Sequence, residues 1–322
     1  MSRYVRQTIL PEVGAEGQAQ LAAARVLVVG AGALAVPVLQ YLVGAGVGQI
    51  TLVDGDVVAE SNLHRQPLYR MGDIGRSKVT AAAEAMAALN PEVTITSRAE
   101  WLTPANAPAL VAGCDIALDC ADTFAASLTL SDVALATGKP LISASALGLS
   151  GYVGGFCGAA PSLRAVFPDL PQTAATCATA GVLGPVVGLI GAAQAQMALS
   201  VLLGLSPSSL GQLMIWDAAN WRMSGFRFDA APEPEPETLT PFIAESQITP
   251  HDLVIDLRTE APAPFSVQAR HVPPEALPDL PLPPDASRIV LACRTGLRAH
   301  HAANTLRARW PGEIALLALP GA

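Results

Sequence analysis

A short apolar segment that ends in a glycine turn limits the folds open to this chain more than any other feature. Residues 25–30 read Arg-Val-Leu-Val-Val-Gly, a β-branched run closed by glycine. Such a run is typical of a parallel strand buried on both faces. Residues 34–43 then show the apolar spacing of a helix, and residues 49–54 form a second buried strand. The order of strand, glycine turn, helix and strand predicts a βαβ unit.

The alternation of strands and helices continues as far as residue 228. Further strands are predicted at residues 93–97, 115–119, 141–145 and 213–217, and helices at residues 78–89 and 181–203. Strands that alternate with helices favour a parallel sheet covered on both faces. The predicted fold class is therefore α/β, with a doubly wound, mostly parallel, Rossmann-like sheet.

A second, smaller domain is predicted after a linker. Residues 229–241 alternate proline with glutamate, a composition that favours an extended and solvated chain. Beyond them, strands are predicted at residues 253–256, 288–293 and 314–317, and a helix at residues 298–310. The predicted division is residues 1–228, the linker 229–241, and a small α/β domain at residues 242–322.

Composition excludes several classes of protein. Half of the residues (51%) are hydrophobic and 14% are charged, which excludes a disordered chain. A formal net charge of -8 offers no positive surface for nucleic acid. The 5 cysteines are odd in number and widely spaced, which indicates reduced thiols and a cytoplasmic location. The long uncharged stretches are interrupted by glycine or glutamine, which argues against a membrane-spanning helix, so we expect no membrane segment. The first residues do not have the pattern of a signal peptide.

The glycine turn is a candidate nucleotide site. Gly30-Ala-Gly32-Ala33 lies between a strand and a helix, where backbone N–H groups can approach a phosphate. Asp54 ends the second strand, in the position from which a carboxylate reaches a ribose hydroxyl. These residues alone leave NAD, FAD, S-adenosylmethionine and ATP open.

The polar residues that follow the second strand favour a triphosphate. The cluster consists of Asp54, Asp56, Asn62, Arg65, Gln66 and Lys78. Arg65 and Lys78 supply fixed cations that can hold a triphosphate and stabilise a departing pyrophosphate. Asp119 and Asp122 follow another strand, at the sheet edge where Mg²⁺ could be bound. A dehydrogenase needs none of these groups, so an NAD-dependent dehydrogenase is a distant third hypothesis for the function.

Several motifs together resemble the MoeB/ThiF/HesA family, the relatives of ubiquitin-activating enzymes. They include Arg3-Tyr-Val-Arg6-Gln, the glycine turn, Asp54-Gly-Asp56, Ser61-Asn-Leu-His-Arg65-Gln66, Leu89-Asn-Pro91 and Ala180-Gly-Val-Leu-Gly-Pro185. The resemblance extends over about residues 2–228. It implies an adenylyltransferase that uses ATP and Mg²⁺ to adenylate the C-terminal glycine of a small ubiquitin-like sulfur carrier ending in Gly-Gly.

The resemblance also implies roles for individual residues. Asp54 would hold the ribose, Arg65 and Lys78 the phosphates, and Asp122 the metal. Arg6 would reach across a homodimer into the ATP site of the partner. The remaining members of the implied nucleotide site are Gly30, Gly32, Ala33, Asp56, Asn62 and Gln66. Cys177 matches a loop cysteine that in some relatives is linked covalently to the carrier, and a small buried structural thiol is the alternative.

The chain departs from the family pattern at some positions. Ala33 and Ala35 stand where the family has glycine, and Thr123 stands where it has asparagine. The first Cys-x-x-Cys pair of a family zinc site is replaced by Ser162 and Ala165, so we expect no zinc. A second function therefore stays open, namely a catalytically impaired scaffold that binds a carrier or a nucleotide.

The second domain contains a candidate nucleophile, Cys293. Cys293-Arg-Thr-Gly-Leu-Arg298 follows a strand and opens a helix, where backbone N–H groups favour a thiolate. The loop resembles the active-site loop of rhodanese sulfurtransferases. That resemblance implies that Cys293 takes sulfur from a persulfide donor such as a cysteine desulfurase and passes it on. Because the domain is short, a degenerate docking module is the alternative.

Overall fold

The chain forms two β-sheets of unequal size. The computed structural model describes residues 3–171, 181–259, 261, 263–282 and 288–319, so Cys177 lies outside the described residues. The strands of the first sheet are β1 (Arg25–Val29), β2 (Gln49–Val53), β3 (Thr94–Arg98), β4 (Ile116–Asp119), β5 (Pro140–Leu147), β6 (Ser150–Cys157), β7 (Gln212–Asp217) and β8 (Arg222–Arg227). The helices of this part are α1 (Val5–Thr8), α2 (Gly14–Ala23), α3 (Ala35–Ala45), α4 (Lys78–Leu89), α5 (Ala107–Ala112), α6 (Phe124–Thr137), α7 (Leu163–Val166) and α8 (Gly184–Leu202).

The strand order of the first sheet creates a crevice at its carboxyl edge. The order is β3-β2-β1-β4-β5-β6-β7-β8, and the first five strands are parallel. The chain moves outwards from β1 in one direction and then returns to β4 on the other side of β1. Val29 at the end of β1 therefore lies between Val53 and Asp119. Ligands bind at such a switch point in open α/β sheets, and the order confirms the doubly wound, mostly parallel fold.

The antiparallel half of the sheet was not fully predicted. Strands β6, β7 and β8 pair antiparallel with their neighbours, and neither β6 nor β8 was expected. Strand β6 carries glycines, which weaken a strand pattern in the sequence. Two of them allow close packing: a Cβ on Gly151 would collide with the carbonyl oxygen of Ser145, and one on Gly155 would collide with that of Ser209.

Helix α8 packs on the first sheet as part of its core. It contacts α3, β5 and β6, and a Cβ on Gly191 would lie 2.5 Å from the carbonyl oxygen of Leu34. Of the described helices, α8 alone is long and apolar enough to cross a membrane, as judged by length and composition. Of its apolar stretch, 44% is buried inside the protein.

The second sheet is smaller and entirely parallel. Its strands are β9 (Asp252–Asp256), β10 (Arg270–His271), β11 (Arg288–Cys293) and β12 (Glu313–Ala318), in the order β10-β9-β11-β12. Helix α9 (Leu297–Arg307) follows β11 and packs on β11 and β12. Cys293 therefore ends β11 just before α9 begins, as the sequence predicted.

The segment between the sheets, which includes the predicted linker at residues 229–241, is held by contacts near both of its ends. The Glu233 carboxylate accepts hydrogen bonds from the backbone N–H and the Oγ of Ser162, at 2.7 and 2.6 Å. Phe242 is buried, and residues on either side of it pair with Leu316 of β12. The proline and glutamate composition does not reveal these contacts, because each depends on a partner far away in the sequence.

The two sheets share a hydrophobic cluster. Leu27 and Phe156 of the first sheet belong to the same buried cluster as Leu291 of the second. At the contact, a Cβ on Gly296 would lie 2.6 Å from the ring of Phe242 and 3.1 Å from the Cβ of Ala125 in α6. The loop that follows Cys293 is thus packed against the first turn of α6.

Candidate active site

The glycine turn after β1 is shaped by contacts at the carboxyl edge of the sheet. Gly30 has φ +94°, and a Cβ there would lie 2.5 Å from the carbonyl oxygen of Cys120. Glycine is therefore required for both conformation and space. A Cβ on Gly32 would meet nothing closer than Nε2 of Gln66 at 3.9 Å, so the turn is open at that point. Ala33 is half-buried and packs against the core cluster.

Asp54 is held beside this turn by two backbone groups. Its Oδ2 accepts a hydrogen bond from the N–H of Ala31 at 2.6 Å, and its Oδ1 accepts one from the N–H of Asp56 at 2.7 Å. Burial raises the pKa of the Asp54 carboxyl, and the charge of Lys78 opposes that rise. A carboxylate oxygen has a second lone pair, so both oxygens can still accept a hydrogen bond from a ribose hydroxyl.

Lys78 is a buried cation with an exposed partner. Its Nζ lies 2.6 Å from Oδ2 of Asp56, and the side-chain exposures are 8% for the lysine and 48% for the aspartate. Taking an ammonium out of water is costly unless it is paired. Because Asp56 can turn to solvent, a bound phosphate can replace it as the partner of Lys78.

Asn62 and Arg65 differ in their surroundings. Nη1 of Arg65 donates to the carbonyl oxygen of Ser61 at 2.8 Å, and its side chain is not buried. Asn62 is buried, and its Oδ1 accepts a hydrogen bond from the N–H of Ala59 at 3.1 Å. Asn62 thus stabilises the turn that presents Arg65.

Gln66 provides a test of whether this site fits a nucleotide. The residue is 3% exposed, and within the described part of the chain its Oε1 has no hydrogen-bond partner. A buried acceptor without a donor costs about 1–3 kcal/mol. The atom nearest to Gly32 is the amide nitrogen Nε2, a donor, so a ligand that presents an acceptor over the glycine turn, such as a phosphate oxygen, fits the position.

Tyr69, which the sequence does not single out, also supports the glycine turn. Its hydroxyl donates to the carbonyl oxygen of Ala31 at 2.7 Å, and burial raises the pKa of the phenol. No motif or periodicity distinguishes this tyrosine, because the contact joins residues 31 and 69 only in the folded chain.

Asp119, the last residue of β4, and Asp122, three residues further along, both follow the sheet to its carboxyl edge but lie in different environments. Asp119 is buried, and it accepts hydrogen bonds from the Oγ of Ser143 at 2.8 Å and the N–H of Ala121 at 3.1 Å. Burial raises the pKa of Asp119 to about 6. Asp122 is exposed. Asp122 is therefore the carboxylate of this pair that could hold Mg²⁺, which prefers oxygen ligands.

Thr123 begins helix α6. Its Oγ1 accepts a hydrogen bond from the N–H of Ala126 at 3.3 Å, so it is an N-cap. The substitution of threonine for the family's asparagine therefore keeps a helix-capping side chain at the position after Asp122.

Arg6 is not near the nucleotide site of its own chain. It is exposed on α1, and the neighbouring Gln7 donates to the carbonyl oxygen of Ala45, the last residue of α3. The glycine turn precedes the first residue of that helix, and eleven residues of α-helix span about 16 Å.

Cys293 lies in a backbone cradle within the second sheet. The residue is 2% exposed, and its Sγ accepts a hydrogen bond from the N–H of Ala299 at 3.3 Å. Gly296 has φ +88°, which turns the chain into α9. Arg298 donates to the carbonyl oxygen of Leu257 at 2.7 Å, and Arg294 is exposed.

Metal-ligating side chains are sparse. Among the residues that the structure describes, no group of three or more histidine, cysteine, aspartate or glutamate side chains could hold a metal ion. Ser162, at the first position of the family's cysteine pair, is bonded to Glu233. The expected absence of zinc stays a prediction.

The sequence profile of the ThiF family matches residues 4–256. The chain belongs to the ThiF family. The match begins near α1 and runs through the whole first sheet as far as β9.

Curated ThiF-family relatives include two proteins named as adenylyltransferases and sulfurtransferases. The Bos taurus protein "Adenylyltransferase and sulfurtransferase MOCS3" is 46% identical over 219 residues, which cover 67% of this chain and 48% of that protein. The Aspergillus fumigatus protein "Adenylyltransferase and sulfurtransferase uba4" is 47% identical over 212 residues, which cover 62% of this chain and 43% of that protein. The chain thus spans less than half the length of these relatives.

Solved structures share the ThiF-family fold. Escherichia coli MccB, in a crystal structure with MccA-N7isoASN, has a TM-score of 0.64 and 20% identity, and the match covers 72% of each chain. A structure of PaaA has a TM-score of 0.59 and 22% identity, and covers 70% of this chain and 72% of PaaA.

Proposed function

We propose that this ThiF-family protein adenylates the C-terminal glycine of a small ubiquitin-like sulfur carrier and then transfers sulfur to it. The observation that carries the proposal is the buried ammonium of Lys78, which forms an ion pair with the half-exposed carboxylate of Asp56 beside Asp54 and the open glycine turn. A site of this kind binds a polyphosphate. The printed names of the relatives, adenylyltransferase and sulfurtransferase, support the reaction type.

In the proposed first step, an oxygen of the carrier's C-terminal carboxylate attacks the α-phosphorus of ATP. The bond between the α-phosphorus and the bridging oxygen breaks, and pyrophosphate leaves with the electron pair. Asp54 would orient the ribose, while Lys78 and Arg65 would stabilise the charge that develops on the leaving phosphates. Asp122 would hold Mg²⁺, which supplies further positive charge when bound.

In the proposed second step, the terminal sulfur of a persulfide on Cys293 attacks the activated acyl carbon, and AMP leaves. A thiol then reduces the resulting acyl disulfide and releases the carrier thiocarboxylate. A cysteine desulfurase is the kind of donor that would load Cys293. The packing of the Cys293 loop against Ala125 supports this step, because α6 begins immediately after Asp122 and Thr123.

We further propose a cytoplasmic homodimer that does not act on nucleic acid or at a membrane. Arg6 would complete the ATP site of the partner. Its position at the far end of α3 from its own glycine turn supports a role in the partner's site.

Carrier-dependent exchange of pyrophosphate into ATP tests the proposal. Candidate carriers ending in Gly-Gly are compared with the same carriers lacking the last glycine. Exchange only with the intact carriers is the expected result. Carrier binding without exchange would contradict the proposal and favour the scaffold alternative, in which this family member binds a carrier but does not activate it.

A further inference from the structure

Trp101 lies beside the carboxylates of the candidate active site. A Cβ on Gly55 would fall 2.7 Å from Cε2 and 2.8 Å from Nε1 of Trp101, so the indole rests on the backbone between Asp54 and Asp56. The side chain reaches this place because β2 and β3 pair in parallel and leave the sheet together, with the N–H of Asp54 bonded to the carbonyl oxygen of Arg98 at 3.1 Å.

The loop that carries Trp101 is held in place. Nδ2 of Asn106 donates to the carbonyl oxygen of Trp101 at 2.9 Å and to Oε2 of Glu100 at 3.2 Å. Oδ1 of Asn106 accepts a hydrogen bond from the N–H of Thr103 at 2.8 Å. One amide thus fixes the backbone at Trp101 and at Thr103, two residues later.

Trp101 is nevertheless not covered. It is 37% exposed, whereas a tryptophan whose function is core packing is highly buried. An aromatic ring that is fixed on one side and open on the other can stack with a nucleotide base.

We propose that Trp101 is the stacking platform for the adenine of the nucleotide whose ribose Asp54 holds. The inference rests on the proposed function, since it concerns the same ATP site. Gly55 is the residue that allows it, because any side chain at that position would displace the indole. Asn106 is a positioning residue, which acts through the loop. The platform would favour a nucleotide over an inorganic polyphosphate.

The experiment compares binding of ATP and of inorganic tripolyphosphate to the full chain by calorimetry. Three variants are used: Trp101→Ala, Trp101→Phe, and Trp221→Ala as the matched control. Trp221 is 94% exposed and lies between β7 and β8, at the other end of the first sheet from β2 and β3. Loss of one base–aromatic stack predicts ATP binding about 10-fold weaker in Trp101→Ala. Trp101→Phe should stay within about 3-fold of the wild type, since phenylalanine keeps an aromatic face.

The tripolyphosphate measurement separates stacking from a structural defect. The inference predicts unchanged tripolyphosphate binding in Trp101→Ala and unchanged binding of both ligands in Trp221→Ala. Equal weakening of ATP and tripolyphosphate in Trp101→Ala would overturn it, as would unchanged ATP binding. A wild-type protein that binds no ATP would contradict the proposed function, which is a different result from wild-type binding that is insensitive to Trp101.

Discussion

At the scale of single residues, the burial of Lys78 is the feature most open to direct test. The chain has two lysines, Lys78 and Lys139, and Lys139 directly precedes β5, at the opposite edge of the sheet. Lys78→Ala should lower carrier-dependent pyrophosphate exchange about 100-fold, the usual cost of losing one fixed electrostatic group. Asp122→Asn should have a similar effect through Mg²⁺. Lys139→Ala is the control, and equal rates for both lysine variants would contradict the assignment.

The raised pKa of Asp119 leads to the prediction that this residue makes a pH-dependent contribution to the free energy of unfolding. Its pKa is raised to about 6 by burial, from an ordinary value of 3.8. The folded protein therefore keeps this proton in a pH range where the unfolded chain has lost it. The contribution of Asp119 to the free energy of unfolding is greatest below about pH 4 and is lost as the pH rises through about 6, a change on the order of 2–3 kcal/mol.

Urea unfolding of the wild type and of Asp119→Asn between pH 4 and pH 7 measures that contribution. The stability of the variant relative to the wild type should increase with pH over this range. Asp115→Asn is the matched control: the hydrogen bond from Arg25 lowers the pKa of Asp115 below its ordinary value of 3.8, so the stability difference between this variant and the wild type should stay nearly constant from pH 4 to pH 7. Parallel stability curves for the wild type and Asp119→Asn would show that Asp119 titrates normally.

At the scale of structural elements, the contact between Ser162 and Glu233 joins the segment before α7 to the linker. Glu233→Ala should remove two charge-assisted hydrogen bonds. Because Glu233 is exposed, we expect the free energy of unfolding to fall by only about 1 kcal/mol and the Tm to fall by roughly 3 °C. Cleavage of residues 229–241 by a protease should also become faster. Glu235→Ala is the control, since it removes an exposed carboxylate from the same linker. Equal cleavage of the two variants would mean that the contact does not hold the linker.

The residues that replace the family's first cysteine pair lead to a prediction about metal content. Because Ser162 and Ala165 stand at those positions, purified protein should contain less than about 0.1 zinc per chain. Treatment with a chelator should leave the Tm unchanged. Elemental analysis that finds one zinc per chain after dialysis against a chelator would contradict this prediction.

At the scale of the whole molecule, the shared hydrophobic cluster places the Cys293 loop against α6 of the first domain. Cys293→Ser should abolish thiocarboxylate formation from a persulfide donor and leave pyrophosphate exchange intact, because the nucleotide site lies on the first sheet. Cys114→Ala is the control, since Cys114 is buried in the first domain. Mass spectrometry of the carrier measures the product, and a normal yield from Cys293→Ser would mean that sulfur arrives by another route.

Cysteine alkylation gives an independent measurement on the same molecule. Burial raises the pKa of Cys114 to about 11 and that of Cys157 to about 12, so both should react slowly near neutral pH. Cys293, whose Sγ accepts a hydrogen bond from the backbone N–H of Ala299, should react fastest among the four described cysteines.

Local sequence by itself determined the βαβ unit, the position of the glycine turn and the placement of Asp54 and Lys78. Each of these follows from a periodicity or from a spacing of less than about thirty residues along one supersecondary unit. The glycine-rich strand β6 was not predicted, because its glycines weaken the strand pattern in the sequence. Those glycines allow close packing against the backbone of Ser145 and Ser209, and the sequence pattern does not reveal these contacts.

Tertiary structure alone decided which of the singled-out residues meet and which side chains turn inwards. Asp119 and Asp122 are three residues apart, yet the fold buries one and exposes the other. Tyr69 and Trp101 reach the glycine turn and Gly55 across 38 and 46 residues, and Glu233 reaches Ser162 across 71. Such contacts depend on how whole elements pack, and no local propensity encodes the position of a partner so distant in the chain.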